Sequence, residues 1–250
     1  MKGRTANPAL NDKTFSQVGR MMGDRSDAMT IDGTVNKTAI LLGLCLVTAS
    51  YTWSRFYGGN AAAVNGLMLL GAIGGLIAAL VVIFKPTTAP VAAPIYALLE
   101  GLLLGGLSAT MEMRFPNIVI QAVGLTFGTL FGLLLAYKSR MIKVTENFKL
   151  GLAAAMGGIL LVYLATFILG FFGMNVPYLH GSGIVGIGFS CFVVVIAALN
   201  LVLDFDFIEN GAESGAPKFM EWYAAFGLMV TLIWLYVEIL RLLSKLRSRD

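Results

Sequence analysis

Four acidic residues stand where a largely apolar sequence should hold none. Glu100 follows Tyr96-Ala97-Leu98-Leu99, Asp204 and Asp206 close the run from Asn200 to Asp206, and Glu238 follows Leu235-Tyr236-Val237. Carboxyls in such surroundings can exchange protons and can hold a hard cation through oxygen. An acid at mid-helix in lipid costs about 2.5–3.5 kcal/mol on insertion scales, so each needs a reason. Helix geometry sorts them. Asn200 and Asp204 are four apart and share a face, whereas Asp204 and Asp206, two apart, point in widely separated directions. Thr231 and Glu238 are seven apart and share a stripe, which would turn a hydroxyl or a carboxylate toward Asp204 if that stripe faces inward. Ordinary alternatives exist for three of the four. Asp204 and Asp206 would mark a water interface leading into an acidic loop with Glu209, Glu213 and Glu221, and Glu238 would pair with Arg241 or snorkel. Glu100 has no neighbour in sequence to neutralise it and is the strongest physical pointer to an internal site.

Other chemistry is thinly represented. His180-Gly181-Ser182-Gly183 puts a serine near the only histidine, but in a glycine-rich turn that reads as a loop rather than a held catalytic pair. Asp204 to Asn210 starts like a calcium loop, then lacks the acid or amide at its fifth place and the glycine at its sixth. No phosphate-binding loop and no Cys/His metal cluster occurs. Cys45 and Cys191 are too few for a disulfide framework or a cysteine zinc site. No enzyme activity and no cofactor are expected.

The elements that must carry these acids follow from composition. Of 250 residues, 57% are hydrophobic and 13% charged, against roughly 45–50% and 25% in soluble domains. Mean hydropathy is +0.79. This excludes an ordinary soluble enzyme and a disordered chain. The net charge of +4 is too small for a nucleic-acid binder without a clustered patch. An all-α polytopic membrane protein remains, because lipid leaves unpaired backbone no partner and the apolar runs are continuous, unlike barrel strands.

A helix needs about 20 apolar residues to cross the bilayer. Charge-free runs give spans at Thr38 to Ser54, Phe56 to Phe84 and Phe115 to Tyr137, and a further span from Val91 to Met111 is interrupted only by Glu100. The run from Leu150 to Leu203 holds two more, broken at Gly173 to Gly181. The last starts near Trp222, and its charge-free part ends at Val237. Seven spans result, with the seventh either crossing fully or re-entrant. Residues 1–36 form a polar lead and residues 37–246 the seven-helix domain. A secretory signal needs an apolar core directly after a basic start, so the first span is expected to be an uncleaved anchor. Lys and Arg bias favours a cytoplasmic N-terminus, with four basic residues of the tail discordant. Glycine rows with a spacing of four (Gly71 and Gly75; Gly101 and Gly105; Gly124, Gly128 and Gly132) predict close helix packing.

These residues suggest a family. Pro94 to Gly101, with Gly105 and Ser108, resembles the third helix of the Bax inhibitor-1-like (transmembrane Bax inhibitor motif) family. Asn200 to Glu209 is similar to the end of that family's sixth helix, and Glu221 to Leu243 to its last. The lead, with Asn7 to Leu10 and Met29 to Lys37, resembles a bacterial branch with an extended N-terminus. The resemblance covers most of the chain and implies a seven-helix bundle with a central last helix in the bacterial inner membrane. It also implies a pH-sensitive calcium leak governed by aspartates on the sixth and seventh helices. Asp204 falls on the first of these. Aligning on Ala225, Leu228 and Tyr236 puts Thr231 on the second; aligning on Leu235 to Glu238 puts Glu238 there. The basic residue that the family pattern expects on the second helix is missing between Arg55 and Lys85.

Two close carboxylates in low dielectric share a proton, and its loss leaves repelling charges or a divalent-cation site. The expected pair is Asp204 with Glu238, both transient calcium contacts, with Glu100, Asp206, Asn200 and Thr231 beside the path. Lipid and calcium are the expected partners. The rival expectation is an interaction protein that modulates a membrane-bound ATP-dependent protease through its polar lead, as the resemblance suggests for some bacterial relatives. An intramembrane hydrolase using Ser182 or an aspartate pair ranks last.

Overall fold

A computed structural model describes residues 28–172, 181 and 183–249. Most of the polar lead, the expected break at 173–181 except Gly181, and the His180/Ser182 pair lie outside the described residues. Among the described residues, seven helices are long and apolar enough to cross a membrane. They are α1 (Ile31–Tyr57), α2 (Ala61–Phe84), α3 (Ala89–Arg114), α4 (Ile118–Lys138), α5 (Glu146–Phe171), α6 (Ile184–Glu213) and α7 (Met220–Arg247), with a 3-10 turn at Pro86–Thr88.

Local chemistry sets the helix ends. The Thr30 hydroxyl accepts the Gly33 N–H at 3.0 Å, and Asp32 in the first turn complements the helix dipole. The helix therefore starts at Ile31, inside the stretch assigned to the lead. Asn60 caps α2 through Ala63 N–H at 3.1 Å. The Glu112 carboxylate accepts the N–H groups of Asn117 (2.6 Å) and Val119 (3.0 Å), tying the end of α3 to the start of α4. The charge-free run of the last span stops at Val237, yet α7 continues to Arg247. Glu238 and Arg241 pair at 2.9 Å, so their charges do not end the helix. Its 28 residues extend about 42 Å at 1.5 Å per residue, more than the roughly 30 Å of hydrocarbon. The length fits a full crossing.

α7 is the hub. It packs against α1, α3, α4 and α6, while α3 is clasped between α1 and α2. Glycine makes that clasp possible. A side chain at Gly101 would overlap the Cys45 carbonyl, one at Gly105 the Ala49 carbonyl, and one at Gly71 would come within 2.6 Å of the Leu99 carbonyl. The third glycine row behaves differently. Among the described residues nothing lies within 4 Å of a Cβ built at Gly124, Gly128 or Gly132, so this row faces outward and packs none of the described neighbours. α5 is peripheral and leans on α6. Gly101→Leu is expected to wedge α1 off α3, at the upper end of the roughly 1–3 kcal/mol of overpacking or beyond, and to lose the monodisperse peak in size-exclusion chromatography. Gly128→Leu should keep it.

One end of the bundle is strapped. Met29 N–H donates to the Ala216 carbonyl at 2.7 Å, and Met29 is buried against Gly211. Beside it, the fully buried Glu221 of α7 accepts from Thr30 N–H and Thr30 hydroxyl, each at 2.9 Å. It also pairs with Lys37 and, at 3.1 Å, with Lys218. A side chain at Gly33 would overlap that carboxylate, which is why the first turn of α1 carries glycine.

Candidate functional site

α6 and α7 run antiparallel, so Asp204 on α6 lies level with Thr231 on α7. The Thr231 hydroxyl is the polar group that meets the Asp204 carboxyl; it also lies 3.3 Å from the Gly227 carbonyl. The other Asp204 oxygen, Oδ2, is buried and has no hydrogen-bond partner among the described residues. Asp204 sits nine residues before the end of α6 at Glu213, about 13 Å along the axis, well inside the bundle. The surroundings are apolar: Leu201, Phe205, Leu228 and Leu232 belong to one packed cluster. The site is thus a carboxyl facing a hydroxyl, with a free acceptor oxygen and no counter-charge among the described residues.

Glu238 does not complete this site. It lies seven residues, about 10 Å, further along α7 than Thr231. There its Oε1 accepts from Tyr163 at 3.1 Å and from Arg241 at 2.9 Å, while Arg241 also donates to the Tyr163 hydroxyl at 2.8 Å. The expected pair of Asp204 with Glu238 is therefore replaced by Asp204 with Thr231. The physical reason is depth: positions seven apart share an angle but not a level. Glu238 keeps one buried oxygen, Oε2, without a partner among the described residues, so Glu238 with Arg241 and Tyr163 of α5 is a second polar point along α7.

The remaining predicted residues disperse. Asp206 turns outward to Lys149 at the start of α5, at 3.4 Å, and Lys149 also pairs with Glu146. Asn200 is buried, and its amide donates back to the Ile196 carbonyl at 2.8 Å rather than to Asp204. Glu100 projects between α3 and α2, where a Cβ at Gly75 would come within 3.0 Å of its carboxylate. Cys45 and Tyr96 lie within its electrostatic reach.

Two polar sites escape sequence reasoning. Glu221, assigned to a loop, is the buried centre of the strap described above. Lys245, assigned to a basic tail, is buried and donates to the Gly186 carbonyl (3.0 Å) and the Ser190 hydroxyl (2.8 Å) of α6. No pattern in the sequence marks either one; Gly33, the glycine that makes room for Glu221, is the nearest to a signal.

A cleft opens between α1 and α4, with α3 and α7 as its floor. Its volume is about 260 Å³. At its floor the hydroxyls of Ser108 and Tyr236 are bonded to each other at 2.7 Å.

A family model described as Bax inhibitor 1 like matches residues 7–248. No match was found among curated proteins or among solved structures.

Proposed function

The chain belongs to the Bax inhibitor 1 like family, and from that premise we propose that it is a pH-sensitive leak pathway for calcium, gated by the Asp204 carboxyl. The observation that carries this reading is the buried, unpartnered Oδ2 of Asp204 at the contact of α6 with the hub helix α7. An ionised carboxylate there has no protein counter-charge, so it draws in water or a cation; a protonated one needs neither. Oxygen donors suit calcium. Proton exchange at Asp204 is thereby linked to whether α6 and α7 hold a dry contact. Thr231 contributes a hydroxyl oxygen to the same point, while Glu238 with Tyr163 and Arg241 forms a further polar station along α7. Glu100, Asp206 and Asn200 keep peripheral roles in this reading. The Lys and Arg bias supports a cytoplasmic N-terminus, and the family resemblance supports the inner membrane of a bacterial cell. Lipid and calcium are the partners, and no catalytic step is assigned.

Calcium flux into proteoliposomes, followed across pH, tests the gate. Asp204→Asn keeps the size and the hydrogen-bonding capacity but cannot ionise. The expected result is a flux that no longer responds to pH in the range where the unaltered protein responds. An unchanged profile removes Asp204 from the mechanism. Contact with a membrane ATP-dependent protease through the polar lead is a separable proposal. Removing residues 2–27, which spares Met29 and Thr30 of the strap, should abolish that contact and leave the leak.

A further inference from the structure

We propose that the cleft between α1 and α4 is a binding site for one acyl chain of a bilayer glycerophospholipid, which enters sideways from the membrane and lies against the hub helix α7. Position, length and lining chemistry all point to this occupant. α1 and α4 make no extensive contact with each other, so the wall between them is open on the side that faces lipid. Leu46 on one lip is 64% exposed and Phe127 on the other 37%; both line the cleft. Along α1 the lining runs from Leu42 to Trp53, eleven steps of about 1.5 Å, or about 16 Å of helix. That is close to half of the roughly 30 Å hydrocarbon thickness, the depth of one leaflet. Most lining positions belong to the half of the bundle in which α1 and α3 end, with Leu42, Leu232 and Ile233 close to the middle. The site thus lies within a single leaflet, with Trp53 near the level where indole rings favour the interface.

The lining gives a polar solute little to bind. Among its residues are no acids and no bases. The Ser108 and Tyr236 hydroxyls engage each other, and the Thr126 hydroxyl donates to the Ala122 carbonyl of its own helix at 2.7 Å. Apolar cavities of this kind stay dry, and an empty one forfeits packing contacts on all its walls. A flexible hydrocarbon chain, present at very high local concentration at the open side, supplies them. Ile233 and Tyr236 on the floor are partly exposed and line the cleft, so a chain inside the cleft reaches them while lipid at the outer surface does not. This site is separate from Asp204: Thr231 is not among its lining residues, although Leu232 and Ile233 are.

The test is photolabelling of the full chain in vesicles of phosphatidylethanolamine and phosphatidylglycerol, doped with a phosphatidylglycerol that carries a mid-chain diazirine. Adducts are mapped by peptide mass spectrometry. The expected result is labelling of the α7 floor at Ile233 and Tyr236, together with the general labelling of outward residues such as Leu69. Val123→Trp, which fills the cleft from α4, should reduce the floor adducts at least tenfold and leave those on α2 unchanged. Leu46→Trp, a change at an exposed lip that makes small demands on folding, should reduce them as well. Ile120→Trp, on the outward face of α4, should not. Floor adducts that are absent, or that survive both cleft-blocking substitutions, overturn the proposal. So does crosslinking of α1 to α4 between two copies of the chain in place of lipid adducts, because a second protein would then fill the cleft.

Discussion

Glu221→Gln lowers the thermal midpoint of the detergent-solubilised protein by roughly 5–10 °C, the expected consequence of losing about 3 kcal/mol. Glu221 is fully buried, Lys37 is 18% exposed at its side chain, and Lys218 is 48% exposed. Removing one partner of a buried ion pair costs more than the pair itself contributes, because the other charge stays behind unneutralised. Here the stranded charge is Lys37, whose ammonium also lies 5.5 Å from the Trp222 ring centroid and has little water to turn to. The glutamine carbonyl can still accept from Thr30, so the loss isolates the charge rather than the cap. Lys37→Met should cost less, since Lys218 and Thr30 keep the carboxylate satisfied. The double variant should recover part of the Glu221→Gln loss, a coupling that additive effects cannot produce. Glu146→Gln serves as the control, because Glu146 is 90% exposed in its ion pair with Lys149 and such pairs contribute at most about 1 kcal/mol. Equal midpoints for Glu221→Gln and Glu146→Gln would show that the strap contributes nothing to stability.

The same strap shows what a helical sequence encodes and what it leaves open. Charge-free runs announce the seven spans because insertion free energy depends on composition along one helix. They misplace ends wherever charges find partners. Lys37 belongs to α1 because Glu221, 184 positions away, neutralises it. α7 outlasts its apolar run because Tyr163 and Arg241 hold Glu238. Lys245 is buried because α6 offers it a carbonyl and a hydroxyl at the right level. Periodicity likewise gives the angle of a side chain about its own axis but not the depth at which it meets a neighbour. That is why Thr231 and Glu238 are equivalent candidates in sequence and separate in space. The glycine rows make the same point. Gly101 and Gly105 are buried against α1, whereas Gly124, Gly128 and Gly132 have the same spacing and meet no other described element. Spacing sets a face; only the fold decides whether that face is covered.

Thr231→Asp is expected to change the form of the pH response and not merely its position. In the unaltered chain a single carboxyl faces a hydroxyl, so one proton is exchanged and the leak should follow a single titration step. A carboxyl introduced at position 231 would stand opposite Asp204 in apolar surroundings. The first proton would then leave a pair that shares the second, and the two steps should separate by more than about one pH unit. Between the steps one negative charge is held by two carboxyls bridging α6 and α7, a state the unaltered chain does not possess. Beyond the second step the charges repel, and two carboxylates in reach of one another make a stronger calcium site than one. The flux profile should therefore acquire a plateau between two rises or falls, and calcium should slow proton uptake at the second step by competing for the same oxygens. Thr231→Asn, similar in size but unable to ionise, should retain the single step. Combining Thr231→Asp with Asp204→Asn should also restore one step, because the introduced acid would then titrate alone. A single unaltered step in Thr231→Asp, with the protein folded and inserted, would mean that positions 204 and 231 do not share a proton. The contact between α6 and α7 would then be structural, and the gate would have to be sought at the Tyr163, Glu238 and Arg241 station.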